Sequence, residues 1–353
     1  MAKKWISLIF GILLFAGVCV CVTVWLTRVC IPYTAKADKI EKTLNSDDED
    51  IDQVDVCLIG GSHGLNAFNP SAMWDEKHIK AYNFCYAGET IPMSRVYLEQ
   101  LYKKRSFDLV VIDAYYAGID DVYFGEKDYA FDIGNKMNPD MELFGYVKKH
   151  VSEDVRKDYY FPLNRYHSRW RELDGKDILR EPDTSDDYLL GGDYHYDINA
   201  GNEVYFGRWT DSEMSLALKD DTEDELKKII QLAKSHGSQV LLVDVPRNYN
   251  DCLAPAKWMP DELAVANRVR EIAKGEGVTF LQYTYKELYD MGFYPEKHMY
   301  NKGHMNIWGS EVYSRQLARY IADNFDVPVY KNDSLWEKYY RVYLSQLAKS
   351  TTK

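Results

Sequence analysis

The sequence predicts a doubly wound α/β fold built on a five-stranded parallel sheet, with a large insertion and one transmembrane helix ahead of it. Three observations predict it. Short, nearly continuous apolar runs recur along the chain, as strands buried on both faces of a parallel sheet require. Helix-like segments alternate with these runs, the pattern of successive βαβ units. An uncharged apolar run opens the chain and has the length a bilayer-crossing helix needs, roughly 20 residues.

The elements follow in order. Residues 1–4, "MAKK", form a cytoplasmic N-terminus, and residues 5–26, "WISLIFGILLFAGVCVCVTVWL", form the span. Lys3 and Lys4 precede the span and Arg28 follows it, which biases the N-terminus toward the cytoplasm and the rest toward the outside. "AKA" at Ala35–Ala37 offers a cleavage site, so a removed leader is the alternative to an anchor. Residues 27–52, with "NSDDED", are acidic and poor in large apolar side chains, as a solvated linker is.

The α/β domain covers residues 53–325. Strands are expected at 54–59, 80–85, 108–114, 239–245 and 278–283. Helices are expected at Ser71–His78, Pro92–Lys104, Thr222–His236, Asp261–Lys274 and Ile307–Phe325, the third opening with Thr222 and Glu225 at capping-box spacing. Residues 115–220 break the rhythm: they are rich in Tyr, Asp and Gly and too long for a loop within a compact domain. They read as an inserted cap over the sheet edge. The C-terminal tail, 326–353, reads as a loop followed by a short amphipathic helix.

A formal charge of -12 with no basic cluster excludes nucleic acid as a partner, because phosphates demand a basic face. Cys19, Cys21 and Cys30 lie in or beside the span, and Cys57, Cys85 and Cys252 are irregularly spaced, so no disulfide framework follows. Cys57 and Cys85 fall in strand-like runs and read as small buried hydrophobes.

The chemistry-bearing stretch is "IGGSHG", residues 59–64. It puts Ser62 just past the first expected strand, the edge at which open α/β sheets bind ligands. Gly60, Gly61 and Gly64 permit a sharp strand-to-helix turn that exposes the hydroxyl, and a main-chain amide there can face an oxyanion. The same residues also suit a plain tight turn or a phosphate cradle. "MYNKGHMNIWGSE", residues 299–311, brings His304 to the same edge after the last strand. A serine needs a base to take its proton, and a histidine on a loop from another strand end is a common solution.

On these stretches the chain resembles the SGNH or GDSL-type esterases and acyltransferases. "IGGSHG" is similar to the block carrying the nucleophile, "NFCYAGET" (83–90) to the second block, and "NKGHMN" (301–306) to the last. The resemblance implies a flavodoxin-like sheet, Ser62 as nucleophile, the Ser62 and Gly88 amides as oxyanion donors, His304 as base, and no metal or organic cofactor. Two departures stand out. Asn301 occupies the position of the family's Asp, and the corresponding change in a serine protease triad lowers turnover about 10⁴-fold. A Ser-His dyad, a carboxylate such as Glu296, or lost catalysis would each accommodate it. "DAYYAGIDD" (113–121) also lacks the third block's Asn, an oxyanion donor of a kind typically worth about 10²- to 10³-fold. "GGSHG" further matches the nucleophile elbow of α/β-hydrolases, but only one strand fits ahead of Ser62.

Asp193, His195 and Asp197 alternate, and read as a polar loop more readily than as metal ligands. His167 and Arg169, in "YHSRW", suit a sugar or phosphate group of a substrate, although a packed surface Arg fits as well. The implied function is a single-pass, extracytoplasmic serine esterase or O-acyltransferase acting on an acyl ester of a cell-envelope glycan or teichoic-type polymer. A membrane acyltransferase is a further implied partner, by likeness to DltD-type proteins. The alternative is a catalytically impaired domain that binds acylated polymer or scaffolds such an acyltransferase.

Overall fold

A computed structural model of the chain describes residues 2–32, 35–45, 51, 53–118, 128–180, 185–197, 215–218, 220–247 and 262–350. Helix α1 (Ala2–Cys30) comes first and is long and apolar enough to cross a membrane. Its side chains are exposed through Trp25, and only at Val29, Cys30 and Ile31 does it become buried.

The segment expected to be a solvated linker contains a packed helix, α2 (Ala35–Asn45). Ile40 and Leu44, one turn apart, enter the core, and the Lys39 ammonium donates to the carbonyls of Asn83 (3.1 Å), Cys85 (2.5 Å) and Gly191 (2.8 Å). Two apolar residues at i, i+4 make one helix face, a signal too short to stand out among charged neighbours and ahead of an acidic run. Most of "NSDDED" lies outside the described residues, as does Cys252.

The domain then runs β1 (Val56–Ile59), α3 (Ser62–Ala67), α4 (Pro70–Lys77), β2 (Ala81–Asn83), α5 (Ile91–Tyr102) and β3 (Leu109–Asp113). The inserted region follows with α6 (Asp128–Lys136), α7 (Met141–His150), α8 (Glu153–Tyr160), α9 (Leu163–Tyr166) and α10 (Gly175–Leu179). The sheet resumes with α11 (Asp220–Ser235), β4 (Gln239–Asp244), α12 (Glu262–Gly275) and β5 (Thr279–Gln282), and the chain continues through α13 (Tyr285–Asp290), α14 (Pro295–His298), α15 (Ile307–Asn324) and α16 (Ser334–Ser350).

All five strands are parallel, in the order β2-β1-β3-β4-β5. The chain therefore reverses its direction of travel between β1 and β3, which creates a crevice at their carboxyl ends. Alternate strand residues feed two cores. Cys57, Ile59, Val110, Ile112 and Leu242 pack with Leu98, Leu226 and Ile230 on one side. Val56, Leu58, Val111, Leu241 and Val243 pack with Met73, Tyr313 and Leu317 on the other. Of the two edge strands, β5 departs from two-sided burial while β2 remains buried.

Two local expectations change. Helix α11 begins at Asp220, so Thr222 lies inside it and Glu225 serves a buried ion cluster with Arg95 (2.6 Å), Lys228 (2.8 Å) and Lys149 (3.2 Å). The tail helix α16 has 17 residues and is integral: Trp336 and Tyr343 are buried, and Asn69 donates to the Tyr343 hydroxyl at 2.8 Å. Cys57 and Cys85 are fully buried, and burial pushes both thiols up, as small hydrophobes in an apolar strand environment require.

Candidate active site

The site lies at the β1/β3 crevice. Ser62 opens α3, and the three glycines around it each answer a local demand. Gly60 has φ +150°, and a Cβ there would stand 2.6 Å from the Asp113 Cβ. A Cβ on Gly61 would meet the Tyr116 ring at 2.0 Å, and one on Gly64 would meet the Cys85 sulfur at 2.7 Å. The turn is fastened from both neighbouring strands. Asp113, at the end of β3, accepts from the Gly64 amide at 3.2 Å. Asn83, at the end of β2, donates to the carbonyls of Gly64, Leu65 and Phe68 at 3.1, 3.2 and 2.8 Å, and accepts from the Cys85 amide at 3.0 Å.

His304 arrives on the loop between α14 and α15. That loop is pinched by the Met299↔Met305 bridge, and its exit is capped by Asn306, which accepts from the Gly309 amide at 2.9 Å. His304 Nε2 lies 2.8 Å from Ser62 Oγ, across 242 positions of sequence. His304 Nδ1 lies 3.0 Å from Asn301 Oδ1. The same amide oxygen accepts from the main-chain N–H groups of Gly303 and His304, both at 2.9 Å. An amide oxygen accepts a hydrogen bond from Nδ1 and donates none, so the neutral imidazole carries its hydrogen on Nδ1 and offers a lone pair on Nε2 to the serine. Burial, with His195 nearby, lowers the His304 pKa to about 4. The ring is thus unprotonated at neutral pH.

The sequence pattern did not single out Tyr116. It sits in the 3₁₀ turn Tyr115–Gly118 directly after β3, and its hydroxyl lies 2.9 Å from Ser62 Oγ. The Ser62 main-chain N–H also faces this hydroxyl closely enough to favour its ionised form. Burial pushes the phenol up to about 12, so it remains an O–H donor. The register Ile59↔Ile112 brings the residues after Asp113 beside Gly60–Ser62, and a hydroxyl side chain just past β3 was the available signal.

Rings complete the wall. His63 is buried, 3.9 Å from Tyr115 and 5.1 Å from His304 between centroids. Burial, His304 and Arg247 hold its pKa well below the usual imidazole range, so it is neutral. Arg247 lies over the Tyr115 ring at 4.2 Å and bonds Asp244 at 2.7 Å and Glu262 at 3.3 Å. His195 stacks on Tyr300 at 3.7 Å, and its carbonyl accepts from the Ile307 amide at 2.8 Å.

Ser62, His304 and Asn301 are brought together. Gly88 has φ +76° in the turn after β2, and that turn is tied to the Ser62 loop by the Tyr86 amide donating to the Gly60 carbonyl at 3.0 Å. Glu296 bonds the Tyr289 hydroxyl at 3.3 Å, while Asn301 takes the place behind His304. Arg169 is engaged by Asp177 at 2.9 and 3.1 Å and by the Cys30 carbonyl at 2.8 Å, at the end of α1. His167 Nδ1 lies 3.0 Å from the Asn164 carbonyl in its own turn. Among the described residues no His/Cys/Asp/Glu group is arranged to hold a metal ion, Asp193, His195 and Asp197 included.

The arrangement is a hydrogen-bonded relay from Asn301 through His304 to a half-buried serine, with a phenol on the far side of that serine. It can remove a proton from Ser62 and return it. No protein-family model matches the chain. No curated protein matches it either.

Proposed function

We propose that the chain is a membrane-anchored, extracytoplasmic serine esterase or O-acyltransferase of the SGNH type, acting on an acyl ester of a cell-envelope glycan or teichoic-type polymer. The observation that carries the reading is the 2.8 Å contact between Ser62 Oγ and His304 Nε2, with Asn301 fixing the tautomer behind it. As Oγ attacks the acyl carbonyl, its proton passes to Nε2 and the carbonyl electron pair becomes an oxyanion. The Ser62 and Gly88 amides are assigned to that oxygen. Tyr116 takes the part of the family's third-block Asn: once Oγ has become an ester oxygen, the phenol O–H turns to the oxyanion. Collapse expels the alcohol oxygen, which takes the proton from Nε2. Water or a sugar hydroxyl then repeats the steps on the acyl-enzyme.

Two observations support a substrate held at the membrane. Helix α1 is long and apolar enough to span it. Lys39, on the first helix after that span, bonds the carbonyls at the carboxyl end of β2 and so ties the exit of the anchor to the site edge. A second reading, a non-catalytic domain that binds acylated polymer or scaffolds a membrane acyltransferase, is favoured by the neutral Asn301 and by the Tyr116 hydroxyl engaged with Ser62 Oγ. Turnover of p-nitrophenyl acetate by the full chain in detergent separates the two. An esterase hydrolyses it and loses the activity in Ser62→Ala, whereas a scaffold gives equal background in both.

A further inference from the structure

We infer that residues 161–179 form a collar that lies on the bilayer surface around the exit of α1, with Phe161, Trp170, Ile178 and Leu179 seated among the lipid headgroups. The inference rests on the membrane-anchor part of the proposed function and goes beyond it. The apolar run of α1 ends at Leu26, and protein begins to bury the helix at Val29. At about 1.5 Å per residue, Val29–Ile31 stand roughly 5–8 Å past the hydrocarbon edge, which is headgroup depth.

The elements packed against this last stretch of α1 are α9, the 3₁₀ turn His167–Arg171 and α10. They are fastened there. Arg169 donates to the Cys30 carbonyl at 2.8 Å, and Arg180 donates to the Ile31 carbonyl at 2.8 Å and to the Arg28 carbonyl. A segment so attached cannot stand far from the bilayer surface. It nevertheless exposes Phe161 (67%), Trp170 (61%), Ile178 (54%) and Leu179 (67%). Single exposed apolar side chains need no explanation, but several on the elements ringing a membrane exit point to a covered surface.

The charge agrees. Residues 161–180 carry five basic side chains against three acidic ones, in a chain whose formal charge is -12. The Arg171 guanidinium lies 5.1 Å from the Trp170 ring centre, presenting a cation and an indole together. Trp at the membrane–water boundary and Arg or Lys toward lipid phosphates is the composition of an interfacial segment. The occupant assigned is therefore the lipid surface itself.

The test places single nitroxides in the full chain, reconstituted in phosphatidylcholine/phosphatidylglycerol nanodiscs. The positions are Trp170→Cys and Ile178→Cys, with Val329→Cys and Ile12→Cys as references, on a Cys19→Ala/Cys21→Ala/Cys252→Ala background. Collision of each label with oxygen and with a water-soluble nickel chelate gives its depth. Positions 170 and 178 are expected to favour oxygen, at a depth between headgroups and acyl chains, roughly 5–10 Å into the bilayer. Readings at 170 and 178 equal to the one at 329, with 12 deep in the bilayer, would overturn the collar and leave the anchor standing. A water-exposed reading at 12 would overturn both.

Discussion

Asn301 Oδ1 stands 3.0 Å from His304 Nδ1 and at the same time accepts the main-chain N–H groups of residues 303 and 304, both at 2.9 Å. The side chain therefore shapes the loop and sets the imidazole tautomer, two of the tasks that the proposed mechanism asks of a triad's third member. It does not supply the remaining one, since a neutral amide does not offset the positive charge that His304 would gain on taking the serine proton in the proposed mechanism. The low basicity of His304 is the other face of the same fact: burial disfavours the imidazolium, His195 adds to the effect, and the side chain behind the ring is a neutral amide.

Asn301→Asp is accordingly expected to accelerate acylation by roughly 10²- to 10⁴-fold, the upper figure being the size of the corresponding effect in a protease triad. Burst kinetics with a chromogenic ester measure this directly. An unchanged or slower burst would mean that the loop, and not the charge, limits the reaction.

The pH profile follows with a fixed sign. A base must be unprotonated, and the pKa of His304 is lowered to about 4, so acylation in the wild type should fall only as pH drops through about 4 and stay flat from pH 6 upward. In Asn301→Asp a carboxylate beside Nδ1 favours the imidazolium, and the inflection should move toward higher pH. Rates between pH 3.5 and 8 for both proteins check the shift.

Tyr116→Phe removes the hydroxyl at 2.9 Å from Ser62 Oγ and leaves the buried ring. An oxyanion donor of this kind is worth about 10²- to 10³-fold in turnover, so a loss of that size, with unfolding temperature little changed, is expected. A gain in turnover would identify the phenol as an obstruction to the substrate carbonyl.

Gly61→Ala drives a methyl into the Tyr116 ring, 2.0 Å from the nearest ring carbon. Overpacking of this sort destabilises by about 1–3 kcal/mol. Because the clash is with one named ring, Tyr116→Ala should relieve it, and the two substitutions should be non-additive in a thermal double-mutant cycle.

Glu89 supplies a pH test of the fold. It is buried in the turn after β2, accepts from the Ser94 hydroxyl at 2.6 Å, and burial raises its pKa from 4.5 to about 8. The folded state then holds a proton that the unfolded chain has released, so this residue's contribution to stability is lost as pH rises from about 4.5 to 8. Glu89→Gln keeps the acceptor oxygen and should flatten that fall. Equilibrium denaturation at pH 5 and pH 8 for both proteins reads the difference.

How much of this was legible beforehand depends on what carried the signal. Strands β1 to β4 were legible because two-sided burial leaves uninterrupted apolar runs, β5 by its own short apolar run despite its exposure, and the Ser62–His304 pairing because strand ends in a doubly wound sheet converge on one edge. Tyr116 was not, because its role comes from the β1/β3 register and from the space left by Gly61, neither of which is written near residue 116. Helix α2 was masked by the charged residues around Ile40 and Leu44 and by the acidic run at 47–50 that follows. Arg169 reads the same in sequence whether it faces a ligand or a main-chain carbonyl, and only the packing of α1 against the insertion places it on Cys30.

The most direct test of the account is whether Ser62 is a live nucleophile. The full chain in detergent is treated with a fluorophosphonate probe and weighed intact, beside Ser62→Ala and Asn301→Asp. The account predicts one adduct in the wild type, none in Ser62→Ala and faster labelling in Asn301→Asp. A folded wild type that forms no adduct, or a Ser62→Ala that labels as well as the wild type, would contradict it.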